Sequence, residues 1–354
     1  MKLLNRRPFP YVFSLLVMST ILAAPQTVQA QQTWKATVGG QSKDMGRQAE
    51  AFLPNEFWIH VGDKINWTFA SGDIHTVSFV LVGQPFPANF SAGCPGFSAS
   101  GTNFDGTTCV SSMPSTTGQT FEITFTAAGN FELLCFVHPE MFGIIHVLNA
   151  SEKLPYDQAD YDARAQIELQ SLLNDEDAPA NATHHHSMAA MPGMLTASVI
   201  HGPTQVIAGF GQIAATPGGQ ESLSVVRFIN GTVEIHAGDT VEWANWDPII
   251  AHTITFGTEP ADTFDPSCGP APGCQVAIDP DGALHAYITG PGQNVHSGFI
   301  FAALEGYTGG LPVPQLPLFP PSRFRINFTA PGTYKYSCAL HDSLGMVGKV
   351  IVLP

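Results

Sequence analysis

Positive charge is what this sequence has least of. Lys and Arg total 14 against 29 Asp and Glu in 354 residues, a formal charge of −15, and charged residues of either sign make up only 12% of the chain. So acidic a field disfavours nucleic acid and anionic membranes as partners and steers basic ones, while it also keeps the protein in solution. Long apolar runs are scarce too. The run Tyr11–Ala24 is shorter than the ~20 residues that cross a bilayer. With Lys2, Arg6 and Arg7 ahead of it and the small residues of Val28-Gln29-Ala30 behind, it reads as a secretory signal peptide over residues 1–30, an uncleaved anchor being the alternative. Loss of those three basic residues would leave a secreted or periplasmic chain of about −18.

Helical periodicity is almost absent. Tyr161, Ala165, Leu169 and Leu172 fall at helical spacing within Asp157–Leu173, which predicts one short amphipathic helix packed on a neighbouring element, since a helix of this length is marginal alone. Elsewhere short alternating runs are separated by Gly, Pro, Ser and Asn, the pattern of an all-β sandwich and not of βαβ units. In the first half strands are expected over Ile59–Phe69, Thr76–Val82, Gln119–Phe125, Gly129–Cys135 and Gly143–Leu148, with Arg47–Phe52 a helical turn or loop. In the second half they are expected over Ser222–Ile229, Val233–Trp243, His252–Phe256, Arg323–Phe328, Gly332–Ser337 and Val347–Val352. Leu311–Pro321 carries five prolines and must be loop or edge.

Two segments recur. Phe57–Phe79 contains Gly-Asp-Lys-Ile-Asn-Trp and then His75-Thr76; Val233–Phe256 contains Gly-Asp-Thr-Val-Glu-Trp and then His252-Thr253. Phe125–Gly143 carries Cys135, His138 and Met141, and Thr329–Pro354 carries Cys338, His341 and Met346. The four pieces pair off in chain order, so the sequence is an internal duplication. The expected domains are 31–149 and 196–354, joined by a linker over 150–195 that holds the helix. Two His, one Cys and a Met per half are the ligands of a blue-copper centre, in which imidazoles and a thiolate form a trigonal plane and the thioether binds weakly on the axis.

The Gly-Asp strand, the His-Thr step, the C-x2-H pair and the following Met resemble the cupredoxin family of type 1 copper proteins. The C-x2-H-x2-M loop of the first half is similar to that of amicyanin, and the C-x2-H-x4-M loop of the second to those of plastocyanin and pseudoazurin. The resemblance implies two tandem Greek-key sandwiches and two type 1 coppers per chain, one held by His75, Cys135, His138 and Met141, the other by His252, Cys338, His341 and Met346. It further implies that the imidazoles of His138 and His341 reach the surface within apolar patches, and that the protein carries electrons between redox partners. Donor and acceptor are not identifiable from the residues.

Four cysteines remain: Cys94 and Cys109 in one half, Cys268 and Cys274 in the other. Bridging within each half leaves no odd thiol and is allowed by export; a further metal site is the alternative but lacks neighbouring histidines. Closing the longer loop is worth roughly 3 kcal/mol. Two rival functions are a two-domain multicopper oxidase or nitrite reductase, and a copper storage or delivery protein. The enzymes place a His beside the type 1 Cys and use paired His-x-His motifs. Here Cys135 lies between Leu134 and Phe136, Cys338 between Ser337 and Ala339, and His-x-His occurs only within His184-His185-His186. That triplet begins a tract ending at Met194, with three His and three Met, which is the best argument for delivery. His60 and His236, each just before a Gly-Asp at a strand end, read as surface side chains, and His146, His201, His285 and His296, without partners at ligand spacing, as structural or solvent-facing. Asn66, Asn89, Asn149, Asn181, Asn230 and Asn327 head glycan sequons that matter only in a eukaryotic secretory path.

Overall fold

The computed structural model describes residues 31–83, 94–138, 140–174, 203–269, 274–302 and 321–354. The expected signal peptide, the His184–Met194 tract, His201, Pro139, Asn89, Asn181 and residues 311–320 of the proline-rich stretch lie outside the described residues. The first half folds as β1 (Thr33–Gln41), β2 (Arg47–Leu53), β3 (Glu56–His60), β4 (Lys64–Phe69), β5 (Ser78–Phe79), β6 (Thr102–Phe104), β7 (Val110–Ser111), β8 (Thr120–Phe125), β9 (Gly129–Leu134) and β10 (Phe142–Leu148). Helix α1 (Gln158–Leu173) follows. The second half gives β11 (Thr204–Thr216), β12 (Gly219–Ile229), β13 (Thr232–His236), β14 (Thr240–Trp246), β15 (Thr255–Phe256), β16 (Ser267–Cys268), β17 (Ala277–Ile278), β18 (Leu284–Ile288), β19 (Val295–His296), β20 (Arg323–Phe328), β21 (Gly332–Ser337) and β22 (Val347–Leu353). No helix among the described residues is long and apolar enough to cross a membrane.

The two halves repeat each other pairing by pairing. β1 runs parallel to β4 as β11 does to β14, and β3 parallel to β10 as β13 does to β22. β9 and β10 form an antiparallel pair, as do β21 and β22. In each half one sheet faces a second: β3-β10-β9-β5-β7 closes the first sandwich and β13-β22-β21-β15-β19-β16 the second. The facing sheets are not separate. β2 and β12 pair edge to edge, Glu50 opposite Ser222 and Gln48 opposite Ser224, so one continuous sheet, β17-β18-β20-β14-β11-β12-β2-β1-β4-β8-β6, runs through both sandwiches. The fold is all-β, two tandem cupredoxin-like sandwiches sharing a sheet.

Each core centres on a tryptophan fixed by the duplication. Trp67 lies 6.0 Å from Phe79 and 6.5 Å from Phe125, and Trp243 lies 5.7 Å from Phe256 and 5.2 Å from Tyr336, all four neighbours being buried. Burying a side chain of the size of these phenylalanines is worth ~1.5–3 kcal/mol, so the rings dominate packing on both sides. Asp157 caps α1, accepting from the N–H groups of Ala159 and Asp160, while the Asp160 carboxylate accepts from the N–H of Asp157. Tyr161 fixes the helix to the first sandwich: its ring is buried 4.2 Å from that of Phe57, and its hydroxyl donates to the carbonyl of Trp58. At the other end Leu173 packs on Leu223 and Val225 of β12.

Several expectations are corrected. Ile59–Phe69 and Val233–Trp243 are not single strands. Gly62 and Gly238, at φ of 95° and 97°, turn the chain where only glycine does so freely, and the carboxylates of Asp63 and Asp239 accept from the N–H groups of His60 and His236. The break sends β3 and β13 into one sheet and β4 and β14 into the other, so the repeated Gly-Asp is a switch between layers. Arg47–Phe52 is part of strand β2, because its backbone groups are needed by β1 on one side and β12 on the other. His60, expected at the surface, is buried, with its Nε2 2.8 Å from the Glu152 carbonyl; its mate His236 is exposed. The paired cysteines form the bridges Cys94–Cys109 and Cys268–Cys274.

Two candidate metal centres

Cys135 follows the last residue of β9, and Cys338 the last of β21. Each turns back at once: the Cys135 N–H donates to the Met141 carbonyl and the Cys338 N–H to that of Met346. The second loop is closed by a single turn of tight helix, Asp342–Leu344, ended by Gly345 in the left-handed region at φ 92°. His75 and His252 enter from the facing edge, each in an isolated antiparallel bridge, to Ser115 and Ile300 respectively. In each half the thiolate, one imidazole and the thioether therefore come from the loop between two paired strands, and the other imidazole from an isolated bridge.

In the first sandwich His138 Nδ1 lies 3.9 Å from Cys135 Sγ and 3.1 Å from His75 Nδ1. In the second, Cys338 Sγ lies 3.8 Å from His252 Nδ1 and 3.4 Å from His341 Nδ1. Both triplets are buried, with their ligand atoms within 4.8 Å of one another. Met141 and Met346 are fully buried in the same cores. The structure thus brings together His75, Cys135 and His138, and separately His252, Cys338 and His341, with each Met placed by its backbone bond to the cysteine of its own set.

The surroundings fit a soft cation. Thr76 N–H and Val137 N–H point at Cys135 Sγ at 3.4 Å each, and Thr253 N–H points at Cys338 Sγ at 3.3 Å. Burial pushes both thiols up, but hydrogen bonds and charge from His138 and His75 hold Cys135 well below the ordinary thiol range, and those of His341, with the Thr253 N–H, lower Cys338. The mirror effect appears on His138. Burial opposes its charge, yet the carboxylates of Glu50 and Asp73 raise it to about 10. A buried thiolate beside a buried imidazolium is a site whose protons stand where a metal cation would. Gly39 and Gly209, equivalent in the repeat and both at positive φ, leave room for the His75 and His252 rings, which any Cβ there would strike.

Several residues around the centres carry no local sequence signal. Glu50 Oε2 lies 3.4 Å from His75 Nε2 and 3.5 Å from His138 Nδ1. Ser71 Oγ holds His75 Nε2 at 2.7 Å, whereas His252 Nε2 has Asp247 Oδ2 at 3.9 Å and, among the described residues, no hydrogen-bond partner. Thr76 and Thr253 could have been found, since the His-Thr step recurs: their Oγ1 atoms accept from the N–H of Phe136 at 2.8 Å and of Ala339 at 2.7 Å, bracing the residue after each cysteine.

The expectation of surface imidazoles is also corrected. His138 and His341 are each only 3% exposed, because their apolar surroundings face the other sandwich instead of solvent. They form part of the wall of a cavity of about 190 Å³ between the halves, lined otherwise by Asp73 and by apolar residues including Ile74, Ile250, Phe299 and Leu340. The remaining described histidines are elsewhere: His146 stacks on Trp58, His285 pairs with Asp279, and His296 bridges Thr255 and the Thr263 carbonyl.

Residues 320–353 match the family model for copper binding proteins of the plastocyanin/azurin family. Among solved structures, the oxidised plastocyanin of Dryopteris crassirhizoma aligns at 19% identity over 42% of this chain and all of its own, with a TM-score of 0.20. A purple cupredoxin from Nitrosopumilus maritimus aligns at 23% identity over 42% of this chain and 99% of its own, TM-score 0.20, and a mutant amicyanin in its reduced state at 19% over 33% and 82%, TM-score 0.22. The family match falls on the second cysteine loop, and the same donor set is built again on matching strands of the first sandwich.

Proposed function

We propose that the protein is an exported electron carrier with one type 1 copper in each sandwich, the first at His75, Cys135, His138 and Met141 and the second at His252, Cys338, His341 and Met346. The observation that carries this reading is the repetition of one buried donor set, two imidazoles and a thiolate, at equivalent strand ends. Copper bound there would supply a one-electron couple. The chain's part is constancy: the donors sit on strand ends braced by Thr76 and Thr253, so little need move when the charge of the centre changes. The cavity beside His138 and His341 gives electrons a place to enter and leave, and the net charge of −15 favours basic redox partners. Export is supported by the two disulfides.

One observation favours a second reading, an oxidase or reductase: Glu50, Asp73 and His138 offer a third set of ligand atoms within 4.8 Å, hard donors suited to another ion. Against it stands the absence of a histidine beside either cysteine. Metal analysis and absorption spectroscopy test the carrier. Two coppers per chain are expected, with Cys135→Ser and Cys338→Ser each removing about half of the thiolate-to-Cu(II) band. A variant that leaves the band unchanged overturns that site. A type 2 copper signal that persists without residues 184–194 and accompanies oxygen or nitrite consumption transfers the case to the enzyme.

A further inference from the structure

His138 and His341 come from different sandwiches, yet their Nε2 atoms meet at one oxygen: Asp73 Oδ2 lies 3.6 Å from the first and 3.8 Å from the second. Each ring turns its other nitrogen, Nδ1, to its own cysteine sulfur. An imidazole thus runs from each candidate metal position to a single shared carboxylate, and the two ring edges are no farther apart than the sum of those distances. Asp73 is 7% exposed, and its Oδ1 is pinned by the Ile74 N–H at 2.7 Å. Among the described residues its Oδ2 has no hydrogen-bond donor in reach, so what holds it between the rings is the attraction of their N–H dipoles. An unsatisfied buried acceptor costs ~1–3 kcal/mol and calls for a role.

The duplication sharpens the point. Asp73 stands two residues before His75; the residue two before His252 is Ile250, which lines the cavity. Glu50 touches imidazoles of the first sandwich alone, whereas Asp73 touches one from each. One copy placed between the halves serves both.

We infer that Asp73 is the positioning residue of an internal electron route, holding the Nε2 edges of His138 and His341 toward each other so that an electron passes between the sandwiches without leaving the protein. The inference deepens the carrier reading and rests on it. In the exchange one centre is oxidised as the other is reduced, and no bond or proton changes hands. An electron arriving from outside at either centre is then shared by both.

The test uses the full copper-loaded chain, reduced by less than one electron per molecule with a radiolytic pulse. In the wild type a first-order redistribution between the centres is expected, at a rate independent of protein concentration. Asp73→Leu is expected to slow it at least about tenfold while copper content and the absorption of both centres stay unchanged; Asp73→Asn, which keeps an oxygen in place, is expected to slow it less. In the copper-free protein, nitrogen-proton correlation spectra should show the Nε2 signals of both His138 and His341 moving together in Asp73→Asn. A rate unchanged in both variants, or one that scales with protein concentration, overturns the route. So does a Cys135→Ser, Cys338→Ser double variant that binds one Cu(II) per chain and loses it on Asp73→Asn, because Asp73 is then a ligand. Failure of the carrier reading is visible separately, as wild-type protein without two blue centres.

Discussion

Glu50 and Val226 occupy the same place in the two repeats. The ladder Gly40↔Ala49 in the first sandwich and Phe210↔Val225 in the second follow the same bulge, so the next residue of β2 matches the next residue of β12. In the first half that residue is a fully buried carboxyl against both imidazoles; in the second it is a fully buried isopropyl group. Burial pushes the Glu50 carboxyl well up, the charge of His138 opposes this, and a metal cation at the same nitrogens acts in the same sense as His138.

Different reduction potentials follow. With Glu50 ionised by a cation bound beside it, its negative charge favours the more positively charged oxidation state, so the first centre is expected to have the lower potential. Voltammetry should resolve two waves in the wild type. Glu50→Val should raise the lower wave toward the other and leave the second in place; a single wave insensitive to the substitution would contradict the asymmetry.

Thr76 and Thr253 offer a local test of the cysteine loops. Thr76→Val leaves the buried Phe136 N–H without its acceptor, and Thr253→Val does the same for Ala339, at a cost of ~1–3 kcal/mol each. Each substitution also removes a hydroxyl that approaches its sulfur, at 4.0 Å and 3.9 Å. The expected outcome is a lowered urea midpoint for the copper-free protein together with a shift in the blue absorption of the affected centre alone. A shift in both bands would show that the centres are not spectroscopically separable in this way.

How much of this was legible in the sequence depends on where each interaction closes. Cys135, His138 and Met141 are joined by a loop of a few residues, and the duplication supplies an internal control, so the donor sets could be read directly. The helix was legible for the same reason, its cap and its buried Tyr161 being local. The sheet switch at Gly62 and Gly238 was not, since an apolar alternation continues across the turn while the backbone changes layers. Nor were Glu50 and Asp73: each owes its meaning to the pairing of β2 with β12, which sets one sandwich against the other and which no periodicity encodes. That pairing is also why the apolar neighbours of His138 and His341, read as an outward patch, face inward.

The axial positions can be probed without changing volume. Met141→Leu and Met346→Leu remove a thioether from a fully buried position and keep its bulk. Loss of a weak axial donor destabilises the more oxidised state, so each substitution is expected to raise the potential of its own centre only. Voltammetry of the two variants checks this; an unchanged wave would remove that methionine from the set.

The seam between helix and second sandwich should respond to pH, and the sign is fixed by two carboxyls. Glu221 of β12 is 2% exposed, one of its oxygens has no hydrogen-bond partner among the described residues, and burial together with the charge of Glu168 raises it to about 8. Glu168 of α1 is half-buried and raised to about 7, again chiefly by burial, although Arg164 and the Asn55 N–H pull the other way. Both folded values lie above those of an unfolded chain, so the folded state binds more protons, and stability contributed at low pH is lost as pH rises from ~4.5 through 7 to 8. For Glu221 the slope over that interval approaches 1.4 kcal/mol per pH unit. Urea midpoints measured on the copper-free protein should therefore fall from pH 5 to pH 8, and Glu221→Gln should flatten the fall and raise the midpoint at pH 8. If the variant keeps the wild-type slope, Glu221 is not the group whose burial makes the stability depend on pH.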